Sequence, residues 1–205
     1  MLFEPQYRHD NKAARVAMTL FRLSQAIKKM TQSESDQAGL SPAQIQGLLF
    51  IYHTRSDVAS VGNFADMIGS SHVTAVKIIN GLMEKEFVQK DKHPSDKRIT
   101  LLQLTEKGFA MALRLQNWGS SLEEAVSQMS DEVLDHLELG LGSVASTLQK
   151  NGHLIVSEPC LGCMHFQPNI GDGNEPHYCN LIKKYLAHEA TLKECPEHTP
   201  KLRRE

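Results

Sequence analysis

The sequence predicts a mainly α fold with one small β-hairpin, followed by a short irregular tail that carries the cysteines. Three observations lead there. Apolar residues recur at steps of three and four through most of residues 11–150. That rhythm gives way once, at residues 87–104, where two apolar runs flank a charged loop. All four cysteines of the 205-residue chain fall in its last quarter. A hydrophobic content of 40% with 22% charged residues is that of a globular chain, and a net charge of −2 excludes contact with a polyanion through bulk charge.

The elements follow in order. The first ten residues are charged early and lack a sustained apolar run, which is unlike a signal peptide, and no stretch approaches the ~20 apolar residues of a membrane span. A cytosolic chain with reduced thiols is expected. Residues 11–32 place Ala13, Val16, Leu20, Leu23 and Ile27 on one helical stripe, and polar residues 31–39 read as a loop. Ser41-Pro42-Ala43-Gln44 supplies a cap, a first-turn proline and a capping-box glutamine for a second helix with Ile45, Leu48, Leu49 and Tyr52 inward. Residues 53–60 read as polar. A short third helix spans 61–68, and Gly69-Ser70 turns into a fourth helix from Ser71, with Val73, Val76, Ile79 and Met83 inward. Its other face carries Ser71, His72, Thr74 and Lys77, side chains that bond phosphates and base edges.

Phe87-Val88, the loop 90–98 and the apolar run from Ile99 to Leu104 then form a two-stranded wing, rich in Lys90, Lys92, Lys97 and Arg98. Helix, strand, charged hairpin, strand is the winged-helix order. Thr105 caps a long fifth helix through Met111, Leu115, Trp118, Leu122, Val126 and Met129, and Ser130 a sixth through Leu134, Leu137, Leu141, Val144 and Leu148, stopped by Asn151-Gly152. With the first helix, these broad stripes suit a dimer interface or a monomeric helical core.

Asp96-Lys97-Arg98, followed by Leu104, Thr105 and Gly108, resembles the D-x-R-x-x-x-L-x-L-T-x-x-G stretch of the MarR family of bacterial repressors. The resemblance covers roughly residues 10–150. It implies a winged helix-turn-helix homodimer on pseudo-palindromic double-stranded DNA, with Ser70, Ser71, His72, Thr74 and Lys77 on the recognition helix and Lys92, Lys97 and Arg98 on the wing as contact residues. Two positions depart from the family pattern. Glu86 stands where glycine is usual, which would alter the turn into the wing; Ala75-Val76 replaces Val-Thr or Val-Ser, so base preference is not carried over.

Residues 1–152 are expected to form this domain, and 153–205 a cysteine module. The order Cys160-x2-Cys163-x15-Cys179-x15-Cys195, among prolines and glycines too frequent for a self-sufficient core, calls for a staple. Four thiolates suit an iron–sulfur cluster, [4Fe–4S] or [2Fe–2S], or zinc; a thiol switch without metal is a third reading. The single C-x2-C followed by two spaced cysteines is similar to high-potential iron–sulfur proteins in spacing alone, and Cys195-Pro196 resembles the end of ferredoxin cluster motifs. His165, His177, His188 and His198 lie nearby and are left out of the ligand set. No Gly-rich phosphate loop, carboxylate pair or H-E-x-x-H occurs, so an enzyme is not expected. The leading expectation is a regulator tuned by a cluster sensing redox or iron status. The alternative is a regulator answering to a small organic effector, with a zinc-stapled structural or docking tail.

Overall fold

A computed structural model describes residues 2–93 and 96–201; Pro94 and Ser95 of the expected wing loop, and Met1 and residues 202–205 at the ends of the two expected segments, lie outside the described residues. The chain divides into two compact units, Met1–Pro42 with Asn117–Asp135 and Ala43–Gln116 with His136–Glu205.

The first unit holds α1 (Pro5–Asp10), α2 (Lys12–Ala38) and α7 (Ser120–Ser127). Asn11 caps α2 by accepting from the Ala14 amide at 3.0 Å. The helix does not stop near residue 31 but runs through the expected loop to Gly39, whose φ of 66° closes it. Periodicity misses this extension because its inward residues are hydroxylic. Ser35 is fully buried, and the Trp118 indole donates to the Ser35 hydroxyl at 3.3 Å and the Thr31 carbonyl at 3.4 Å. The expected fifth helix is likewise two, α6 (Glu106–Arg114) and α7, separated at Gly119 with φ 91°. The Glu34 carboxylate accepts from the Gly119 amide and the Ser121 hydroxyl, both at 2.6 Å, at the start of α7. Those bonds hold its pKa below the usual carboxylate range, Ser121 first.

The second unit contains α3 (Pro42–His53), α4 (Val61–Met67), α5 (His72–Glu84), β1 (Val88–Lys92), β2 (Thr100–Leu104), α6 and the tail. Its core is Ile45, Leu48, Phe64, Ile79, Leu82 and Leu102. Strands β1 and β2 pair antiparallel from Val88↔Leu104 to Lys92↔Thr100, as the expected wing requires. Glu86 keeps the turn into it by taking φ 62° itself. Its carbonyl accepts from the Thr105 hydroxyl at 2.7 Å, and Thr105 in turn caps α6 by accepting from the Gly108 amide at 3.0 Å.

Helix α8 (Asp131–Lys150) ends as expected, with Gly152 at φ 71° and the His153 amide bonded back to the Leu148 carbonyl. Val133, Leu137, Leu141, Val144 and Leu148 form an apolar face on it that stays exposed. The tail is less irregular than expected: β3 (Phe166–Gln167), β4 (His177–Cys179) and β5 (Lys184–Leu186) make a three-stranded antiparallel sheet, followed by α9 (His188–Thr191). Cys160, Cys179 and Leu186 form its small core, with Phe166 and Ile182 against them.

Candidate nucleic-acid interface and cysteine site

The α4–turn–α5 unit is set by its caps. Ser60 Oγ accepts from the Asn63 amide at 3.1 Å, and Ser71 Oγ from the Thr74 amide at 3.2 Å. Gly69, with φ 60°, makes the turn between the helices. The inward face of α5 is Ala75, Ile79 and Leu82, all fully buried. Spacing alone puts Val73 and Met83 there; the structure turns the helix so that Val73 is 65% exposed and Met83 partly so. Ala75 contributes little bulk to a hydrophobic pattern yet is fully buried, which rotates the buried stripe by about one residue.

Ser71, His72, Val73, Thr74 and Lys77 therefore line the exposed side of the first turns of α5, with Ser70 half-buried just before. The Ser71 and Thr74 hydroxyls bond each other at 2.9 Å. Val73 is the member of this face that spacing assigns to the core.

The wing stands beside it. Arg98 has a side chain 91% exposed and is held in a fork by Asp96, Nε to Oδ1 at 3.0 Å and Nη2 to Oδ2 at 2.8 Å. This pairing pulls the Asp96 carboxyl down to about 2. Lys92 and Lys97 are exposed, and Lys90 donates to Asn80 at 2.7 Å, tying the wing to α5. Between α4, the start of α5 and the wing lies a groove of about 270 Å³ whose lining includes Ser60, His72, Val76, Lys90 and Arg98. Donors, a guanidinium and an apolar valine thus share one exposed surface, the mixture that phosphates and base edges call for.

The four cysteines converge on a second site. Cys160, Cys163, Cys179 and Cys195 are free and buried, 4 to 8% exposed, and line one small cavity with Arg55, His165, Phe166, Leu181, Glu197 and His198. Cys160 and Cys163 come from one tight turn, where the Cys163 amide bonds the Cys160 carbonyl at 3.1 Å. Cys179 ends β4, and Cys195 follows α9 and pairs its backbone with Glu158. Burial raises the Cys160 thiol and pushes Cys195 up to about 11, against the pull of Arg55. An incoming metal has to displace those protons. Among the described residues no three of His, Cys, Asp or Glu stand close enough to share a single ion. The His198 Nε2 is buried with no hydrogen-bond partner. It lies three residues after Cys195, a spacing that marks it as a neighbour of the site.

Sequence reasoning misses Arg55 altogether. The connector 54–60 reads as polar, yet Thr54, Arg55, Val58, Ala59 and Ser60 are buried. Arg55 Nη1 donates to Cys160 Sγ at 3.3 Å, and its Nε to Asp57 at 2.5 Å. Burial opposes its charge, but Asp57 and the thiols of Cys195 and Cys160 hold its pKa above the usual value. Nothing in the local pattern Arg-Ser-Asp distinguishes it from a solvated loop.

The MarR family model matches residues 40–100. The chain is 23% identical over 125 residues to the HTH-type transcriptional regulator MhqR of Bacillus subtilis, covering 60% of this chain and 85% of that one. A Staphylococcus aureus MepR–DNA complex superposes with a TM-score of 0.58 at 21% identity, over 64% of this chain and 97% of that one. AbsC of Streptomyces coelicolor, a MarR family transcriptional regulator, gives 0.60 at 16% identity over 68% and 97%. CouR of Rhodococcus jostii RHA1, bound to p-coumaroyl-CoA, gives 0.55 at 18% over 63% and 90%. The winged-helix fold is that of these regulators. About a third of this chain has no counterpart in the first two structures.

Proposed function

We propose that this chain is a DNA-binding transcription regulator of the MarR type, a repressor that acts as a homodimer on a pseudo-palindromic operator. Its grip on DNA is set by an iron–sulfur centre on Cys160, Cys163, Cys179 and Cys195 that responds to redox or iron status. The observation that carries the DNA half is the joint exposure of the α5 face and of Arg98, fixed by Asp96 at the wing tip. In this reading Ser70, Ser71, His72, Thr74 and Lys77 work in the major groove. Lys92 and Lys97 meet phosphate, and Arg98 enters the minor groove. The exposed apolar face of α8 supports a second copy as partner, since leucines and valines along twenty residues of helix gain by being covered. Relatives caught on DNA or holding an acyl-CoA support the same class. Arg98→Ala should weaken binding to a duplex selected from a randomised pool by about 1–3 kcal/mol, with an unchanged unfolding midpoint. Unaltered affinity would refute the wing assignment.

The cysteine half is supported by four buried thiols on one cavity and by the orphaned His198 Nε2, which an occupant would relieve of a buried, unpaired nitrogen. A cluster there supplies an electron-accepting group that oxidation can alter or remove. Iron with acid-labile sulfide in anaerobically purified chain is the expected result, and zinc alone would sink it.

A second reading has its own observation. An open cavity of about 530 Å³ is lined by Tyr52, His53, Phe109, Pro159, Leu192 and Lys193, among others. Its aromatic walls suit a small aromatic molecule, in which case the cysteines hold zinc as a structural staple.

A further inference from the structure

The tail does more than carry cysteines, because its last segment is laced into the chain immediately before the helix-turn-helix. Lys193 Nζ donates to the Tyr52 carbonyl, the Glu194 amide to the His53 carbonyl and the Arg55 amide to the Glu194 carbonyl, each at 3.0 Å. Thr54 and Glu194 thereby pair as a parallel bridge, one residue from Cys195. On the other side Arg55 reaches Cys160, so two cysteines from distant parts of the tail bear on one connector residue. Lys184 of β5 stands 3.9 Å from Asp57, the carboxylate that also holds Arg55.

From Arg55 the bonds run on without a gap. Its carbonyl accepts from the Val58 and Ala59 amides at 3.1 and 3.0 Å. The Val58 carbonyl accepts from Asn63 of α4 at 2.8 Å, and the next residue but one, Ser60, caps that helix. The Ala59 carbonyl accepts from the Leu102 amide of β2 at 2.7 Å. A displacement at Arg55 therefore reaches both α4, which packs on α5, and the wing strand.

We propose that Arg55 is a positioning residue of the cysteine site and carries its state to the helix-turn-helix and the wing. The inference rests on the regulatory reading above and names its route. Arg55 is bonded at once to Cys160 through its side chain and to Glu194, next to Cys195, through its backbone, so an occupant that set the spacing of those two cysteines would set the position of the connector, and its loss would free the connector to shift. A buried arginine suits this role because its charge persists at every working pH while its planar fork engages two partners at once. A contiguous set of bonds is a route only if altering it changes coupling, so the test measures coupling.

The experiment uses the full chain, loaded anaerobically with ferrous iron and sulfide or stripped, titrated against a duplex selected by the wild-type protein. The expected wild-type response is about tenfold in Kd between the two forms. Arg55→Met should load the same iron and still bind the duplex, but with a response under about twofold; Arg55→Lys, which keeps the charge, should retain part of it. A full response in Arg55→Met overturns the route and leaves the regulatory reading standing. No response in wild type overturns that reading and the route with it. Should Arg55→Met fail to fold, hydrogen exchange on wild type decides. On stripping, the amides of Arg55, Val58, Ala59 and Leu102 should exchange at least tenfold faster, and unchanged protection there overturns the proposal.

Discussion

Gly108→Ala should cost about 2–3 kcal/mol, although alanine is the better helix former. An ideal Cβ built on Gly108 falls 1.9 Å from the Phe87 carbonyl oxygen and 2.8 Å from its carbon. Ordinary contact needs more than about 3 Å, so the first turn of α6 has to retreat by more than about 1 Å, and no side-chain rotation relieves a clash with backbone. The same carbonyl accepts from the Thr105 amide at 3.1 Å, and Thr105 caps Gly108. Retreat therefore adds a weakened cap, about 0.5–2 kcal/mol, to overpacking of about 1–3 kcal/mol. The helix propensity of alanine returns about 1 kcal/mol, which leaves the net loss above. Gly142→Ala is the matched control. Nothing lies within 4 Å of its added Cβ, and it falls on the side of α8 away from Val133, Leu137, Leu141, Val144 and Leu148, so it should gain up to about 1 kcal/mol. Urea unfolding at one fixed protein concentration reads both, since assembly shifts apparent stability. A Gly108→Ala midpoint within about 0.5 kcal/mol of wild type would refute the close approach of α6 to the wing's first strand.

Other outcomes follow from the same surfaces. Glu86→Gly relieves a left-handed residue, worth about 1–2 kcal/mol, and gives back about 0.5–1 kcal/mol in chain entropy. Its melting midpoint should thus match or exceed wild type while that of Glu86→Val falls, and equal shifts in the two would contradict the observed φ. The Asp96 carboxyl is depressed from 3.8 to about 2 by Arg98. Whatever the pair contributes is present above pH 3.8 and lost as pH falls through about 2. Carbon NMR should find that low midpoint in wild type and one near 3.8 in Arg98→Ala. Val73→Ala should weaken operator binding by about 1 kcal/mol without changing stability, because the valine is exposed on the α5 face proposed to enter the major groove, where it would meet a thymine methyl. Replacing the contacted thymine by uracil should cost the wild type the same and the variant nothing.

The elements legible in the sequence are those with regularly spaced large apolar residues: α3, most of α5, both wing strands and α8, whose apolar face is nevertheless exposed. The parts that escape it are held by polar contacts. The end of α2 is buried through Ser35 and Thr31, whose hydroxyls carry no hydrophobic signal, and the break after α6 depends on Glu34 receiving an amide more than eighty residues away. The exposed face proposed to meet DNA is nearly all legible because short polar side chains open α5. Val73 alone escapes, since a valine at helical spacing is read as core. The clustering of four cysteines is plain in one dimension, but their meeting with Arg55, 105 residues before Cys160, is a long-range fact that no local window contains.

A buried arginine decides what kind of appendage the tail is. An arginine whose side chain is 4% exposed has given up its water, and such a loss is tolerable only where partners replace it. Asp57 supplies one and Cys160 the other, yet Asp57 lies in the connector and would hold Arg55 as readily if the tail were gone. Cys160 is the partner whose charge can change. As a neutral thiol it is a weak acceptor; as a metal-bound thiolate it is a strong one. The free energy of that contact therefore differs between the two states of the cysteine site, and any ligand that distinguishes two states shifts the balance between them by that difference and no more. In the proposed regulator, burial of Arg55 beneath the cysteines would make the energy of the site depend on the geometry of the connector, and reciprocally would make DNA binding affect how tightly a metal there is held. Saturating the iron-loaded wild-type chain with the selected duplex should consequently change its equilibrium affinity for iron, read by competition with a chelator, and an unchanged affinity would show that the two sites, though joined by hydrogen bonds, do not exchange free energy.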